Sequence, residues 1–334
     1  MADPAPALKV SVIVTSRNNE ETIGECLKAL FEQEYPKDAF EVLVVDGCST
    51  DATVQIAKNF PAKVFSLPLN APAAYNYAQK LAIYEILGFV DSDAKVEPAW
   101  LRKLVTHLQD PKVAGVSGGI ETWNQQNPWA RSQGYEIKNR YSRIGEYTRR
   151  IATMNLLMKK GVIEEAGGWD ENFPSQYDTD LGARVTKLGY KFAYEPSAKC
   201  YHFNRQTVHA YWRQQLQYGK NTLKLYIKHG ALARGDEITD FGMNIQPALL
   251  FAVLLLFLLG IVPLLRLLWI GSGLVLAAMF IYYVYSAAKL WAKFKDRTAM
   301  RMVILYFVRT FAWSCGAAVT VGKYLAGERG KRKK

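Results

Sequence analysis

The sequence predicts an open, doubly wound α/β domain, mainly a parallel sheet with helices on both faces, followed by C-terminal transmembrane helices. Three observations carry this expectation. Apolar, β-branched runs alternate with amphipathic stretches from Val10 onwards, which is the pattern of βαβ units. A polar cluster follows the end of several of those runs. The apolar residues, 50% of the chain, crowd towards its C-terminus.

Val10 to Thr15 (VSVIVT) is an unbroken run that fits a strand buried on both faces of a parallel sheet. It ends in a polar elbow, Ser16-Arg17-Asn18-Asn19. Glu20-Glu21-Thr22 then opens a helix with Ile23, Leu27, Leu30 and Phe31 on one face, closing near Tyr35-Pro36. A second strand, Phe40 to Val45, runs into Asp46-Gly47-Cys48-Ser49-Thr50-Asp51, where Asp51 or Ser49 can cap a helix from Ala52 to Asn59. A third strand, Lys63 to Leu67, precedes a helix around Ala73 to Ala82. The fourth, with Ile86, Leu87, Phe89 and Val90, ends in Asp91-Ser92-Asp93. Open α/β sheets bind ligands at the C-terminal ends of their strands, where the polar clusters fall.

Strand residues alternate in direction, so Asp91 and Asp93 can share one side, with Ser92 turned away. Hard oxygen ligands placed there suit Mg²⁺ or Mn²⁺ bridging a nucleotide diphosphate. A strand capped by a solvated polar turn would carry the same three residues, so the surrounding chain has to decide.

The succession VSVIVTSRNNEE, EVLVVDGCSTDAT and GFVDSDAKVEPAWL, in that order and spacing, resembles a family 2 glycosyltransferase with the GT-A fold. EEAGGWDENF and YDTDLGARVTKLGYKFAYEPSAKCYH extend the resemblance over about residues 8 to 220. It implies that Thr15, Arg17 and Asn18 surround the base and ribose of a nucleotide sugar and that Asp46 hydrogen-bonds the nucleoside. Asp93 would bind the metal directly, and Asp91 would join it there or contact the donor sugar or ribose.

Glycosyl transfer also needs a base for the acceptor proton, and Asp178 and Asp180 are the candidates. The family's Glu-Asp pattern selects Asp178 first, with Tyr177 standing where the Glu is expected. Asp180 is the second choice, and either residue could instead cap the following helix. His202 resembles a late histidine near the metal, although a structural role is open to it as well. Many relatives carry Arg-Asn in the helix before the metal motif. This chain has Tyr75-Asn76, which leaves Asn76 as the donor contact from that helix.

In the segment Tyr211 to Lys220, Arg213 would meet a donor or lipid phosphate, or the segment would lie on a membrane as an amphipathic helix. Gly118-Gly119 would line the sugar, or mark a turn. The aromatic and polar stretch Glu121 to Glu146 would be a lid over the acceptor, or a packed helix.

Two later runs, Pro247 to Leu265 and Trp269 to Ala288, approach the roughly 20 apolar residues that span a bilayer. Pro263 and Arg266 mark the turn between them. Lys289, Lys293, Lys295, Arg297 and Arg301 place the ends of this hairpin in the cytoplasm. A third run, Met302 to Val321, is interrupted by Arg309 and is expected to span or, slightly in preference, to lie in the interface.

The expected division is therefore a disordered N-terminus (1–8), a catalytic domain (9–204), an amphipathic juxtamembrane segment (205–243), a membrane domain (244–323) and a basic tail (324–334). The Ala/Pro-rich start has no secretory signal, and the four cysteines lack CxxC spacing, as expected of free thiols in a reducing compartment. The net charge of +12 gathers near the apolar runs, which favours anionic lipid, and no nucleic-acid motif accompanies it.

The expected function is an inverting transferase at the cytoplasmic face of the cell membrane. It would move a sugar from a nucleotide-diphosphate donor, UDP-linked as first choice, to a polyprenyl-linked saccharide, with Mg²⁺ or Mn²⁺. The alternatives are a synthase using the polyprenyl phosphate itself as acceptor, and a non-catalytic membrane protein that binds nucleotide or glycan.

Overall fold

The computed structural model describes residues 8–327, so nearly all of the expected disordered N-terminus and most of the basic tail lie outside the described residues. The chain forms two compact units, Met1–Trp123 with Tyr141–Phe203, and Asn124–Arg140 with Asn204–Lys334. Residues 124–140, assigned from the sequence to the catalytic domain, belong to the second unit.

The first unit is built on one sheet. Its strands are β1 (Val10–Ser16), β2 (Phe40–Asp46), β3 (Lys63–Ser66), β4 (Ile86–Asp91), β5 (Ala94–Val96), β6 (Val113–Thr122), β7 (Tyr147–Thr148), β8 (Leu156–Lys159) and β9 (Lys191–His202). They lie in the order β3-β2-β1-β4-β8-β6-β9-β5, with β7 beside β9. The β3-β2-β1-β4 half is parallel, as the alternating runs predicted. Beyond β4 the sheet becomes mixed: β8 runs antiparallel to both neighbours, and β5 and β7 run antiparallel to β9. The sheet is mainly parallel, as expected, with its short antiparallel pairings gathered beyond β4. β6 and β9 are parallel, with a register shift between Gly118 and Gly119, and a Cβ at Gly118 would stand 2.1 Å from the Ala198 carbonyl. That pair of glycines serves strand pairing.

Helices cover both faces. Val10, Val12 and Val14 point to one face, against Ile23, Leu27 and Leu30 of α1 (Ile23–Phe31), Ala57 of α2 (Thr53–Ala57) and Trp100 and Leu104 of α4 (Trp100–Val105). Ile13 points to the other, with Ala74, Tyr75 and Ala78 of α3 (Ala71–Leu81), Val162 of α6 (Lys160–Glu165) and Leu181 and Val185 of α7 (Tyr177–Lys187). The two-residue period of a strand sorts β1 between two cores, and this double burial explains its unbroken apolar run.

The second unit is helical: α5 (Pro128–Tyr141), α8 (Val208–Lys228), α9 (Phe241–Leu259), α10 (Leu268–Phe294) and α11 (Met302–Leu325). α9 begins at Phe241 and carries Pro247 inside it, so the first apolar helix starts earlier than the apolar run. A short 3-10 turn, Pro263–Leu265, separates α9 from α10, where Pro263 and Arg266 foretold a turn. Among the described residues, three helical stretches are long and apolar enough to cross a membrane: Phe241–Leu259, Leu268–Phe294 and Arg297–Leu325. The first two are only 11% and 17% buried along their most apolar window, whereas the third is 50% buried.

The third stretch is covered by protein of its own unit. Gly219 of α8 and Gly316 of α11 let two backbones touch, since a Cβ on Gly316 would lie 2.5 Å from the Lys220 nitrogen. Arg309 is buried and donates to Glu136 of α5 at 2.7 Å. α5 is fixed further by Tyr135, which donates to Asp296 at 2.8 Å, and by Ser132, which donates to the Thr298 carbonyl at 2.6 Å. Of the two readings for Glu121 to Glu146, the packed helix is the one found.

Candidate active site

The site lies where β1, β2 and β4 end level with one another: Ser16 is the register partner of Asp46, and Thr15 of Asp91. The loops beyond these strands are tied by side chains. Asn18 takes a left-handed conformation (φ 52°), its backbone N–H donates to Ser49 Oγ at 2.7 Å, and its Oδ1 accepts from the Thr50 N–H at 2.9 Å. Asn19 Oδ1 accepts from Ser92 Oγ at 2.9 Å, so Ser92 does turn away from the carboxylates, into the loop after β1. Asp51 holds the start of α2 by accepting from the Thr53 N–H at 3.0 Å. Arg17 is exposed at the rim, with its methylenes against Gly47.

Two expected donor contacts have other employment. Asp46 is wholly buried, and both of its oxygens are occupied: Oδ1 accepts from the hydroxyls of Ser16 and Ser49, and Oδ2 from the Ser49 N–H (2.8 Å) and the Ser66 hydroxyl (3.1 Å). It knots the strand ends together. Asn76 is likewise held by protein groups. Its amide donates to the Trp169 carbonyl (2.9 Å) and to Glu171 Oε1 (3.0 Å), and its Oδ1 accepts from the Trp169 N–H (2.9 Å). It staples α3 to the loop before α7, and both ends of its side chain are used.

Asp91 closes β4 and is the centre of the site. Its Oδ1 accepts from Tyr75 Oη at 3.2 Å and from Thr153 Oγ1 at 3.1 Å. Burial and then the neighbouring charge of Asp93 push its carboxyl up to about 6, while His202 works in the opposite sense. His202 Nε2 stands 3.5 Å from Asp93 Oδ1, a long contact. Crowded carboxylates with raised proton affinity are a donor set that a divalent cation fits, since its charge removes their repulsion. Among the described residues no three His, Cys, Asp or Glu side chains converge on one point, so Asp91, Asp93 and His202 do not form a ready cage. An ion there would draw the rest of its shell from phosphate and water.

Tyr75 and Thr153 were not singled out from the sequence as site residues. Tyr75 had a signal, because it departs from the family pattern, and Thr153 had none. Tyr75 is fully buried, its ring 5.2 Å from that of Phe89, 5.0 Å from Trp169 and 5.7 Å from Tyr177. Burial and the Asp91 charge push its phenol well up, so it remains a donor.

The two base candidates are separated. Asp180 is fully buried and accepts from Arg184 Nε at 2.9 Å, one turn along α7. Asp178 is half-buried; burial raises its carboxyl, Arg150 opposes the rise, and its negative charge acts on Asp91. Two residues apart on a helix face nearly opposite ways, so one carboxylate goes to the core and one to the site. Arg213 is exposed on α8, in the second unit.

The mixed sheet thus carries acidic side chains at the end of β4 and at the start of α7. Residues 11–164 match the family model described as Glycosyl transferase family 2, and the chain carries a domain of that family. The glycosyltransferase AglE of Haloferax volcanii is 30% identical over 193 residues, covering 55% of this chain and 64% of AglE. The probable glycosyltransferase YdaM of Bacillus subtilis is 30% identical over 238 residues, covering 66% of this chain and 56% of YdaM. The chain thus spans less than two thirds of the length of these curated relatives. The mannosyltransferase PcManGT of Pyrobaculum calidifontis, solved with GDP-Man and Mn²⁺, superposes with a TM-score of 0.62 at 20% identity, over 96% of this chain and 88% of that one. At that identity the likeness is one of fold.

Proposed function

We propose that the protein is an inverting glycosyltransferase that moves a sugar from a nucleotide-diphosphate donor to a hydroxyl of a lipid-linked saccharide at a membrane surface. The observation that carries this reading is the placement of Asp91 and Asp93 after β4, with the charges of Asp93 and Asp178 both acting on Asp91, beside loops pre-tied at the ends of β1 and β2. Thr15, Arg17 and Asn18 border the nucleotide there. Asp93, with Asp91 and His202 beside it, would hold a Mg²⁺ or Mn²⁺ ion, which supplies charge neutralisation for the departing diphosphate.

Asp178 takes the acceptor proton as that hydroxyl forms its bond to the anomeric carbon and the bond to the diphosphate breaks. A carboxyl raised by burial is the more effective base near neutral pH. We leave Asp180 in its ion pair with Arg184. The lipid-borne acceptor is supported by α9 and α10, whose open apolar sides suit a membrane hairpin. We place the third stretch, with its buried Arg309, on protein in the interface.

A second reading has one observation in its favour. Arg150 faces Asp178, and a guanidinium suits a phosphate acceptor, which needs no base. Detergent-solubilised protein offered a panel of nucleotide sugars with Mn²⁺ tests both. Release of nucleotide diphosphate that needs a lipid-linked saccharide and is lost in Asp178→Asn supports the first. Release that needs only polyprenyl phosphate and survives Asp178→Asn supports the second. No release with any donor sinks the enzyme reading.

A further inference from the structure

Asp91 is gripped unevenly. Among the described residues both of its side-chain hydrogen bonds fall on Oδ1, from Tyr75 Oη at 3.2 Å and from Thr153 Oγ1 at 3.1 Å, and none on Oδ2. The two donors arrive from unrelated elements: Tyr75 from α3, and Thr153 from the 3-10 turn Thr153–Asn155 that precedes β8. Both are buried, with exposures of 0% and 3%. Thr15 Oγ1 donates in turn to Tyr75 Oη at 3.2 Å, which directs the phenol proton towards Asp91. The aromatic box of Phe89, Trp169 and Tyr177 fixes the ring.

We infer that Tyr75 and Thr153 are positioning residues that occupy Asp91 Oδ1 and present Oδ2 alone to the cation. The inference rests on the metal-dependent site proposed above and deepens it. A carboxylate free to turn about its terminal bond offers either oxygen, or both to one ion. With Oδ1 held by two hydroxyls, Asp91 becomes a single oxygen ligand of fixed direction. The donors are neutral, so they orient the carboxylate and leave its negative charge for the ion. An arginine or lysine in their place would orient it and cancel that charge. Asp93, two residues on, is thereby left to complete the ion's protein ligands from its own side.

The test is Mn²⁺ binding to the full-length protein in detergent, read as the loss of the free-ion electron spin resonance signal, with no sugar donor present. Tyr75→Phe keeps the ring in its box and removes the donor, and Thr153→Val keeps the shape and does the same. Each is expected to weaken Mn²⁺ binding about tenfold, as for a lost hydrogen bond to a charged group. Thr153→Ser restores the hydroxyl and is expected to bind within about twofold of the parent. Should Tyr75→Phe not fold, Thr153→Val makes the same measurement alone. Parental affinity in Tyr75→Phe and Thr153→Val would overturn the inference, as would Thr153→Ser behaving like Thr153→Val, or a parent that binds no Mn²⁺. Weakened binding in both, in a protein that transfers no sugar, would support the positioning role and remove the transferase reading instead.

Discussion

Arg184 stands 2.8 Å from Asp180 one helical turn along α7, with Asp180 fully buried and Arg184 partly so, while Asp178 stands at the head of the same helix. Substitutions at the two acids should therefore fail differently. Asp178→Asn is expected to slow transfer on the order of a hundredfold to ten-thousandfold, the usual range for a lost general base, with the unfolding midpoint kept. Asp180→Asn leaves a guanidinium facing a neutral amide in the core and should cost about 3 to 5 kcal/mol of stability. Initial rates and chemical unfolding of both variants decide it, and equal rate losses at equal stability would return Asp180 to the base role.

What could be read from the sequence follows from how local the signals are. β1, β2 and β4 announce themselves because strands buried on both faces must be continuously apolar, and the polar residues that end them stand next in the chain. The helical N-terminus at Tyr177 is local too, which is why Asp178 and Asp180 could both be nominated. Choosing between them needed Arg184 in three dimensions. The structural partners of Asp46 and Asn76 could not be read locally, because Ser66 and Trp169 lie 20 and 93 positions away. The antiparallel pairings beyond β4 were not legible for the same reason, since β8 inserts between β4 and β6 through pairings that no run or turn advertises. Tyr75 and Tyr177 are instructive: each looked like an isolated departure from the family pattern, and their rings lie 5.7 Å apart beside Asp91.

Asp91 gives a pH prediction with a definite sign. Its carboxyl is raised to about 6, above the ordinary value near 4, so the folded chain holds this proton more tightly than the unfolded one. Without metal, that contribution to stability is complete below about pH 4 and is lost as pH rises through about 6. A divalent cation replaces the proton. The rise in unfolding temperature produced by Mn²⁺, measured against EDTA, should thus be small at pH 5 and larger at pH 7.5. An equal rise at both would mean that the ion binds elsewhere.

Asp46 separates a structural knot from a ligand contact. Asp46→Ala removes the acceptor of the Ser49 N–H and of the Ser16 and Ser66 hydroxyls. Leaving buried donors unmet should cost about 1 to 3 kcal/mol. Unfolding by denaturant should reveal this loss with no nucleotide present, and nucleotide affinity should fall with it as the loops of Asn18 and Ser49 loosen. A variant of parental stability with weakened nucleotide binding would restore the nucleoside contact expected from the sequence.

Glu136 and Arg309 provide the matching test in the second unit. The 2.7 Å pair joins a polar helix, α5, to the most covered of the three apolar stretches, and Arg309 is further flanked by the rings of Tyr306 at 4.9 Å and Trp313 at 5.8 Å. Gln246 of α9 accepts from Arg309 Nη2 at 3.4 Å and from Thr310 Oγ1 at 3.0 Å, so the arginine sits in a polar seam inside a unit that is otherwise apolar. Glu136→Gln leaves that guanidinium without its carboxylate and should destabilise the detergent-solubilised protein by about 3 to 5 kcal/mol. Glu136→Leu combined with Arg309→Met removes both charges and should recover much of the loss, because a desolvated ion pair gains little over well-packed apolar side chains. The two sets of unfolding midpoints, compared under one detergent condition, measure how far α11 depends on protein cover. If Glu136→Gln were as stable as the parent, Arg309 would be held by its other neighbours, and the α5 carboxylate would not be what anchors this stretch.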